Sequence, residues 1–317
     1  MVPRNLWNTS LVITSTVLRG VPMHVDNILR GACDIHVHAS PSLMAREIAS
    51  FETARRASKA GYAAIVLKDH HSNTAPLAAE IMENLKLVPP FQVFGSICLN
   101  NAVGGINPFA VEAAILFGAK TIWLPTTSAE NHLEKLKNNA FPRSALKLAE
   151  PPVRVTDGGR ILPEVCAALK LIAEAPGTLL GMGHISARDI DAVLDKAVGF
   201  GIKSILINHP TYFVEATRTD MTRWAGAGAY IEHTATGSLP GSAVFHTDCR
   251  EIAELIGLIG SASTIITSDA GQRGNGCPVE VLGSFLDLLS DYGISDSDIS
   301  TMVWENPRKL LGLENKE

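Results

Sequence analysis

Cysteine is scarce in this chain of 317 residues, and its distribution excludes two common kinds of structural site. The five cysteines are scattered, odd in number and never spaced as a CxxC pair. A disulfide framework and a thiolate zinc knuckle both need paired cysteines, so neither is expected. Isolated cysteines are typical of buried free thiols in a reducing compartment, and we therefore expect a cytoplasmic protein.

Charge and long apolar runs are also limited, which narrows the range of partners. Charged residues make up 19% of the sequence, the net charge is −5, and no basic run occurs. Nucleic acid and anionic membranes are therefore not expected as partners. The apolar stretch at 11–18 is too short to cross a bilayer and lacks the basic start of a signal peptide. A small-molecule substrate is the expected partner.

The hydrophobic residues, 46% of the chain, form short runs that alternate with amphipathic segments. This rhythm is typical of repeated βα units around a large buried core. Glycines follow several of the amphipathic segments, as expected where a helix ends and turns into a strand. The pattern predicts eight strands, at 32–37, 63–67, 92–97, 121–124, 178–182, 204–207, 229–231 and 264–267, and helices that include 46–60, 75–87, 108–117, 187–199 and 248–259.

Eight strands in this order fit an α/β fold of the (β/α)8 TIM-barrel type better than an open doubly wound sheet. The pair Gly104 and Gly105 follows the third strand but lacks the GxGxxG spacing of a dinucleotide site. The barrel is predicted to span residues 31–317, with residues 1–30 as an N-terminal extension packed on it. The chain length is within reach of one such barrel with insertions.

Two segments depart from the βα rhythm. The stretch 126–163, after the fourth strand, is long for a connecting loop and is interpreted as an insertion. It contains a small predicted hairpin that turns at Asp157-Gly158-Gly159. The last segment, 295–313, is predicted to be a closing helix with a break at Asn306-Pro307.

Histidines end several of the predicted strands. His36 and His38 share one face of the first strand, because side chains alternate along an extended chain. The fifth and sixth strands end in His184 and His209, and the eighth ends in Asp269. All eight strand ends of a barrel meet at one mouth. The sequence therefore predicts a divalent metal site there, with imidazole and carboxylate ligands.

This ordered set of motifs resembles the amidohydrolase superfamily of metal-dependent barrels. The resemblance rests on the HxH motif, on one histidine after each of two later strands, on Asp269, and on the closing tail at 305–312. It extends from residue 32 to residue 313. More narrowly, an uncharacterised amidohydrolase-related family is similar in three further segments, namely Lys68-Asp69-His70, Asn-Asn-Ala-Val-Gly-Gly at 100–105, and Ser-Asp-Ala-Gly-Gln at 268–272.

The resemblance implies which residues would bind each metal ion. His36, His38 and Asp269 would bind a first ion, and His184 and His209 would bind a second, if one is present. Zinc is the expected metal, with manganese or iron as alternatives. Asp269 would also take a proton from the attacking water, a role that suits a carboxylate beside a metal ion.

Lys68 decides between one metal ion and two. Many two-metal relatives bridge their ions with a carbamylated lysine or a glutamate after the fourth strand, but the segment 123–127 offers neither group. An unmodified ammonium would be repelled by two cations. Lys68 is therefore either carbamylated and bridging, which we favour, or offset as a substrate contact.

Six residues are predicted to contact the reacting group or the rest of the substrate. His70 and His233 are the candidates for the reacting group. Asn100 and Asn101 could donate hydrogen bonds at the mouth, and Arg46 could bind a substrate carboxylate. His71 completes this set. The favoured reaction is hydrolysis of an amide, cyclic amide or imide, lactone or ester in a small molecule.

Other functions stay open from the sequence alone. The Lys68-Asp69-His70 motif also resembles the Thr-Asp-His of PHP-type metal-dependent phosphoesterases, although Asp269 is not followed by the histidine of their Asp-x-His motif. Decarboxylases and deaminases occur among amidohydrolase relatives. A binding or scaffold protein built on the same barrel is a non-enzymatic alternative. Barrels of this type commonly assemble, so a homo-oligomer, either dimer or tetramer, is expected.

Overall fold

The computed structural model describes residues 27–88, 90–137, 144–149 and 151–313. None of the helices within these ranges is long and apolar enough to cross a membrane. The predicted packing of the N-terminal extension falls mostly on residues 1–26, which lie outside the described residues. All five cysteines are free thiols, as their spacing predicts.

Short parallel strands form the inner wall of the fold, and they coincide with the predicted strands to within a few residues. The wall strands pair in parallel within two sheets, one of three strands and one of six, and a small antiparallel hairpin of two further strands interrupts the series. In chain order the strands are β1 (Cys33–Val37), β2 (Ala64–Leu67), β3 (Gln92–Phe94), β4 (Ser96–Cys98), β5 (Thr121–Trp123), β6 (Thr156–Asp157), β7 (Arg160–Ile161), β8 (Leu179–Gly181), β9 (Ile205–Ile207), β10 (Tyr230–Thr234) and β11 (Thr264–Thr267).

Two seams close this wall into a barrel. Gly95 divides the predicted strand 92–97, so that β3 pairs with β2 whereas β4 pairs with β5. A Cβ at Gly95 would lie 2.3 Å from the backbone nitrogen of Ala75, so only glycine fits this bend. At the other seam, beyond β11, the backbone N–H of Asp269 donates to the carbonyl of His36 at 3.0 Å. The predicted (β/α)8 barrel is therefore confirmed.

Helices follow the wall strands and cover them from outside. The predicted helix 46–60 begins only at residue 50, because residues 40–49 form a loop with its own hydrogen bonds, among them Ser40 N–H to the carbonyl of Ile48 at 2.9 Å. The helices are α1 (Ser50–Lys59), α2 (Ala75–Asn84), α3 (Pro108–Leu116), α4 (Glu130–Leu136), α5 (Pro163–Ala173), α6 (Ala187–Gly199), α7 (Arg218–Gly226), α8 (Ala235–Ser238), α9 (Cys249–Ile259), α10 (Pro278–Asp291), α11 (Asp296–Ser300) and α12 (Asn306–Leu311).

The two irregular segments agree with the sequence in part. The hairpin of β6 and β7 lies within the insertion, as predicted, but the insertion also contains α4, which the sequence pattern did not predict. The closing segment contains α11, a π-helical turn and α12 in direct succession. The predicted break at Asn306-Pro307 is wrong. Pro307 occupies the first turn of α12, where a missing N–H donor costs no helical hydrogen bond.

Apolar packing holds the strands between the helices and the closing segment. Most buried apolar side chains belong to one large cluster that joins the strands to the surrounding helices. A second cluster contains Val66, Trp123 and Leu206 of the strands together with Leu310 and Leu311 of α12. The polar residues that end the strands lie beyond this apolar packing, at the C-terminal mouth of the barrel.

Candidate metal centre

Five imidazoles form a closed ring at the mouth of the barrel, and we call this group the histidine ring. Going round it, the distances between ring centroids are 5.4, 5.0, 6.1, 5.2 and 5.3 Å. All five side chains are buried. They come from the ends of four different wall strands, in the order His36, His38, His70, His184 and His209.

Asp269 brings its carboxylate against three members of the ring. Its Oδ1 atom lies 3.1 Å from Nε2 of both His36 and His38, and its Oδ2 atom lies 3.8 Å from Nε2 of His209. Burial alone would raise the pKa of this carboxyl. The charge of His36 and hydrogen bonds from His36 and His38 outweigh burial and hold the pKa well below its usual range. Asp269 is therefore a carboxylate that touches both predicted ligand sets.

The backbone is strained where these ligands leave their strands. His209 and Asp269 have φ values of +52° and +46°, in a region that residues other than glycine rarely adopt. Next to Asp269, a Cβ on Gly271 would lie 1.7 Å from the carbonyl oxygen of His38. The loop after β11 is thus pressed against the end of β1. That close approach sets Asp269 beside the HxH motif.

The donor set fits a divalent transition metal. Ligand atoms of His36, His209 and Asp269 lie within 4.8 Å of one another. Nε2 of His184 is buried and has no hydrogen-bond partner among the described residues. Burial lowers the pKa of His38 to about 3 and holds that of His184 well below its usual range, so both imidazoles are neutral. Neutral imidazoles with one carboxylate are ligands that suit zinc, manganese or iron.

Glu232 supports His36 from behind, and the sequence analysis missed it. Both oxygens of its carboxylate approach Nδ1 of His36, at 3.0 and 3.2 Å. Thr267 donates its hydroxyl to Oε1 at 2.8 Å, which holds the carboxylate in place. Burial and Lys68 push the pKa of His36 down, but Asp269 and Glu232 outweigh them and raise it to about 9. A carboxylate on the far nitrogen is the usual partner of a metal-binding histidine.

His132 supports His184 in the same way and was also missed. It lies on α4 of the insertion, fully buried, with its Nδ1 atom 2.8 Å from Nδ1 of His184. Phe213 stacks on His184, with ring centroids 4.0 Å apart and planes at 7°, and its ring centroid also lies 4.7 Å from that of His132. The insertion therefore contributes a side chain that orients a predicted ligand. Nothing in the local sequence pattern around His132 indicated this contact.

Lys68 lies inside the site, as predicted. Its side chain is almost completely buried, its Nζ atom is 2.9 Å from Nε2 of His36, and it lies 4.3 Å from the ring centre of Trp123. An ammonium group in this position would repel a divalent ion bound at Nε2 of His36. The geometry therefore couples the chemical state of Lys68 to metal binding at His36.

His70 belongs to the histidine ring, and residues in the loops after β4 and β5 hold its side chain in place. Its Nδ1 atom lies 2.8 Å from Oγ1 of Thr126, which also accepts from Nδ2 of Asn100 at 2.7 Å. Burial keeps the pKa of His70 well below its usual range, so the ring is neutral. His70 is thus positioned at the cavity, as the sequence predicts.

The side chains of Asn100 and Asn101 form hydrogen bonds with other residues of the chain and do not face the mouth. Asn100 is fully hydrogen bonded, because its Oδ1 atom accepts from the backbone of Thr126 and Ser128 while its Nδ2 atom also donates to the carbonyl of His70. Asn101 donates to the carbonyl of Pro151 at 2.7 Å. Neither lines the cavity beside the histidine ring. The predicted substrate contacts of these two residues have no support in this geometry.

His71 and His233 are likewise buried away from the cavity. On β10 the side chain of Glu232 reaches His36, so the alternation along the strand turns His233 to the opposite face. His71 lies beside Asp69, whose Oδ1 atom accepts from the backbone N–H of His71 at 2.9 Å. The structure thus separates these two histidines from the five that form the ring.

The cavity beside the ring is small, about 30 Å³, which is room for one or two water-sized groups. Arg46, which the sequence predicts as a substrate contact, lines it. Apolar walls come from Met44, Phe213 and Val244. Tyr212 and His246, which the sequence analysis did not select, stack on one another at the rim with ring centroids 4.5 Å apart.

Comparison with known protein families identifies the family to which the chain belongs. Residues 31–232 match the model of a family described as "Family of unknown function (DUF6282)". This match covers more than half of the chain. The chain belongs to the DUF6282 family. No curated protein matches this DUF6282 member.

Solved structures share the fold of this DUF6282 member at low sequence identity. An amidohydrolase from Pseudomonas aeruginosa is 12% identical, with a TM-score of 0.59 over 91% of this chain and 96% of the other. The probable dipeptidase PvdM from Pseudomonas aeruginosa is 10% identical, with a TM-score of 0.61 over 93% and 98%. A putative 2-pyrone-4,6-dicarboxylic acid hydrolase from Pseudomonas putida is 14% identical, with a TM-score of 0.54 over 90% and 99%. The DUF6282 chain therefore shares its barrel fold with these three structures.

Proposed function

We propose that this protein is a metal-dependent hydrolase that cleaves a C–N or C–O bond next to a carbonyl in a small molecule. An amide, cyclic amide or imide, lactone or ester would serve as substrate. One observation carries the proposal. The Asp269 carboxylate lies against a closed ring of five buried imidazoles and contacts three of them. The amidohydrolase, lactonase and dipeptidase names among the structures of the same fold agree with this chemistry.

The residues that would hold the metal are those of the histidine ring and Asp269. His36, His38 and Asp269 are proposed for a first ion, and His184 and His209 for a second. When bound, such an ion lowers the pKa of water toward about 7 and polarises a carbonyl oxygen. Glu232 and His132 hold the far nitrogens of His36 and His184, so that the near nitrogens face the centre.

Asp269 is proposed as the group that moves the proton. As the water oxygen bonds to the carbonyl carbon, Asp269 accepts the proton that the water loses. The C–N or C–O bond then breaks, and Asp269 gives this proton to the departing nitrogen or oxygen. Its depressed pKa keeps it in the carboxylate form. Gln272 donates to its backbone carbonyl at 2.7 Å, which helps to keep the carboxylate in position.

His70 is proposed to orient the substrate carbonyl. If Thr126 donates its hydroxyl proton to Nδ1 of His70, the tautomer that results carries its proton on Nε2. Nε2 can then donate a hydrogen bond to the oxygen on which negative charge develops. The amide of Asn100 holds Thr126 in the orientation that this tautomer requires.

Lys68 is proposed to be carbamylated in the active protein. Its ammonium group would lose one proton, and the neutral amine would then add to carbon dioxide and release a second proton, which leaves an anion in place of a cation beside His36. That change would remove the positive charge that opposes a metal ion at His36 Nε2. It would also supply carboxylate oxygens as further metal ligands.

The test is a hydrolysis screen with the full chain reconstituted with zinc, manganese or iron. Lactones, lactams, cyclic imides and carboxylic esters are assayed beside p-nitrophenyl phosphate. We expect turnover within the carbonyl set and none of the phosphate ester. Asp269→Asn should reduce this turnover by about 100-fold or more, as expected for loss of a general base. Asp157→Asn, in the exposed hairpin, is the matched control and should leave it unchanged. Turnover of the phosphate ester alone would contradict the proposal.

A further inference from the structure

Backbone pairing between two loops at the mouth holds the segment that carries Arg46. Its loop, which follows β1, pairs with the loop that follows Asp269 through an antiparallel bridge between Arg46 and Gln272. The backbone N–H of Glu47 donates to the carbonyl of Gly271 at 2.8 Å, next to this bridge. The backbone that carries Arg46 is therefore held in fixed relation to the loop that carries Asp269. The Arg46 side chain is only 1% exposed, and it lines the cavity together with His38 and Lys68.

The guanidinium carries two buried donors that no described residue satisfies. Nε and Nη2 of Arg46 are both buried without a hydrogen-bond partner among the residues described. The Asp69 carboxylate is close, but its Oδ2 atom is 3.7 Å from Nη2, which is too long for a hydrogen bond. Buried donors of a charged group without acceptors are costly, so a ligand that supplies acceptors would bind here favourably.

The two donors lie on one edge of the guanidinium plane. The N–H groups of Nε and Nη2 point in parallel, and this edge matches the two oxygens of one carboxylate. Asp69 steadies the guanidinium from outside the cavity, and its own Oδ1 atom is occupied by the N–H of His71 and the hydroxyl of Ser72. Asp69 is not among the residues that line the cavity. Arg46 does line the cavity, which puts its side chain within reach of a ligand there.

The charge balance of the cavity favours an anion. The charged side chains that line it are Arg46, Lys68 and Asp269. With Lys68 unmodified, the two lining cations outnumber the one lining carboxylate, although Asp69 beside Arg46 offsets part of this charge before a divalent ion is added. With Lys68 carbamylated, two divalent ions would outweigh both anions. In either state a carboxylate on the substrate enters a positive site.

We propose that the substrates of this protein carry a carboxylate, and that Arg46 binds it side-on through Nε and Nη2. The proposal rests on the hydrolase function proposed above and narrows its substrate to small carboxylate-bearing amides, lactones or esters. The single fork favours a carboxylate over a phosphate, because a phosphate group has a third oxygen that needs further donors. The limited size of the cavity favours a compact substrate.

The test measures binding of acetate, acetamide and inorganic phosphate to the metal-loaded full chain by titration calorimetry. Acetate and acetamide share one shape and differ in charge. We expect acetate to bind at least about tenfold more tightly than acetamide, since hydrogen bonds to charged groups are the stronger ones. Arg46→Gln should remove this preference. Arg46→Lys, which keeps the charge but loses the fork, should retain only part of it.

Two controls separate failure of this proposal from failure of the hydrolase function. Metal content is measured in every variant, because an unchanged content shows that the histidine ring is intact. Arg154→Gln replaces an exposed arginine and should leave acetate binding unchanged. The proposal is overturned if metal-loaded wild type does not prefer acetate, if Arg46→Gln binds acetate as well as wild type, or if phosphate alone depends on Arg46. Absence of metal from the wild type would instead contradict the hydrolase function.

Discussion

Nδ1 of His36 lies 3.0 Å from Oε1 of Glu232, and both side chains are completely buried. This contact fixes which nitrogen of His36 faces the centre of the histidine ring. With Nδ1 held by the carboxylate, Nε2 points toward Asp269. The pair is therefore arranged as a metal-binding histidine and its supporting carboxylate.

Replacing Glu232 should weaken metal binding without removing a ligand. We expect Glu232→Gln to lower metal affinity by about 10- to 100-fold, the usual effect of losing such a supporting group. Competition with a chelator measures the affinity. Glu254→Gln, at an exposed ion pair with Arg218, is the matched control and should have no effect. Equal affinities of Glu232→Gln and wild type would show that the His36 contact has no role in metal binding.

His132→Ala should also weaken metal binding, because it removes the partner of His184 Nδ1. The substitution leaves a buried polar atom without a hydrogen bond, which costs about 1–3 kcal/mol. We expect lower metal affinity together with a lower free energy of unfolding, measured by chelator competition and by denaturant titration. His132→Asn can restore a hydrogen bond and should recover part of both. If His132→Ala loses stability but keeps full metal affinity, the residue serves the fold alone.

The state of Lys68 can be read by carbon-13 NMR. Protein prepared in ¹³C-bicarbonate should show a carbamate signal that is absent from Lys68→Met. The metal content of Lys68→Met should fall to about half that of wild type if the carbamate bridges two ions. Lys309→Met, on the exposed side of α12, is the control and should keep both the signal and the metal. A wild type with no carbamate signal and one metal ion per chain would make Lys68 a substrate contact instead.

Gly95 should tolerate no side chain at the bend between β3 and β4. A Cβ there would lie 2.3 Å from the backbone of Ala75, so Gly95→Ala should destabilise the fold by at least about 2 kcal/mol, as other overpacked substitutions do. Gly199→Ala is the matched control, because a Cβ at that helical position meets nothing within 4 Å. It should be neutral or stabilising by up to about 1 kcal/mol. Urea unfolding of both variants compares the two effects, and equal stabilities would contradict the role assigned to the bend.

The barrel and most of the ring were predictable because strand ends are easy to recognise. The strand before His36 and His38 is a short apolar run, and so are those before His184 and His209. Alternation along β1 was enough to place both histidines of the HxH motif on one face. Once eight such runs are identified, the barrel fold brings their ends together. The tertiary arrangement therefore follows from local patterns.

The supporting residues were not predictable, because they depend on contacts between distant segments. Whether Glu232 or His233 points into the barrel depends on which face of β10 is turned inward. The short apolar run before these residues does not determine that face. His132 lies in an insertion whose path over the mouth has no periodic signal. The segment that carries Arg46 was predicted as a helix from its local pattern. It forms a loop instead, because its pairing with Gln272 overrides local propensity.

Metal analysis of the purified chain tests the central claim most directly. After purification without added chelator, elemental analysis should find about one or two equivalents of zinc, manganese or iron per chain. The double variant His36→Ala with Asp269→Ala should lose this metal, whereas His233→Ala, outside the histidine ring, should keep it. A wild-type chain that holds well under one equivalent and cannot be reconstituted with these ions would contradict the assignment of a metal centre.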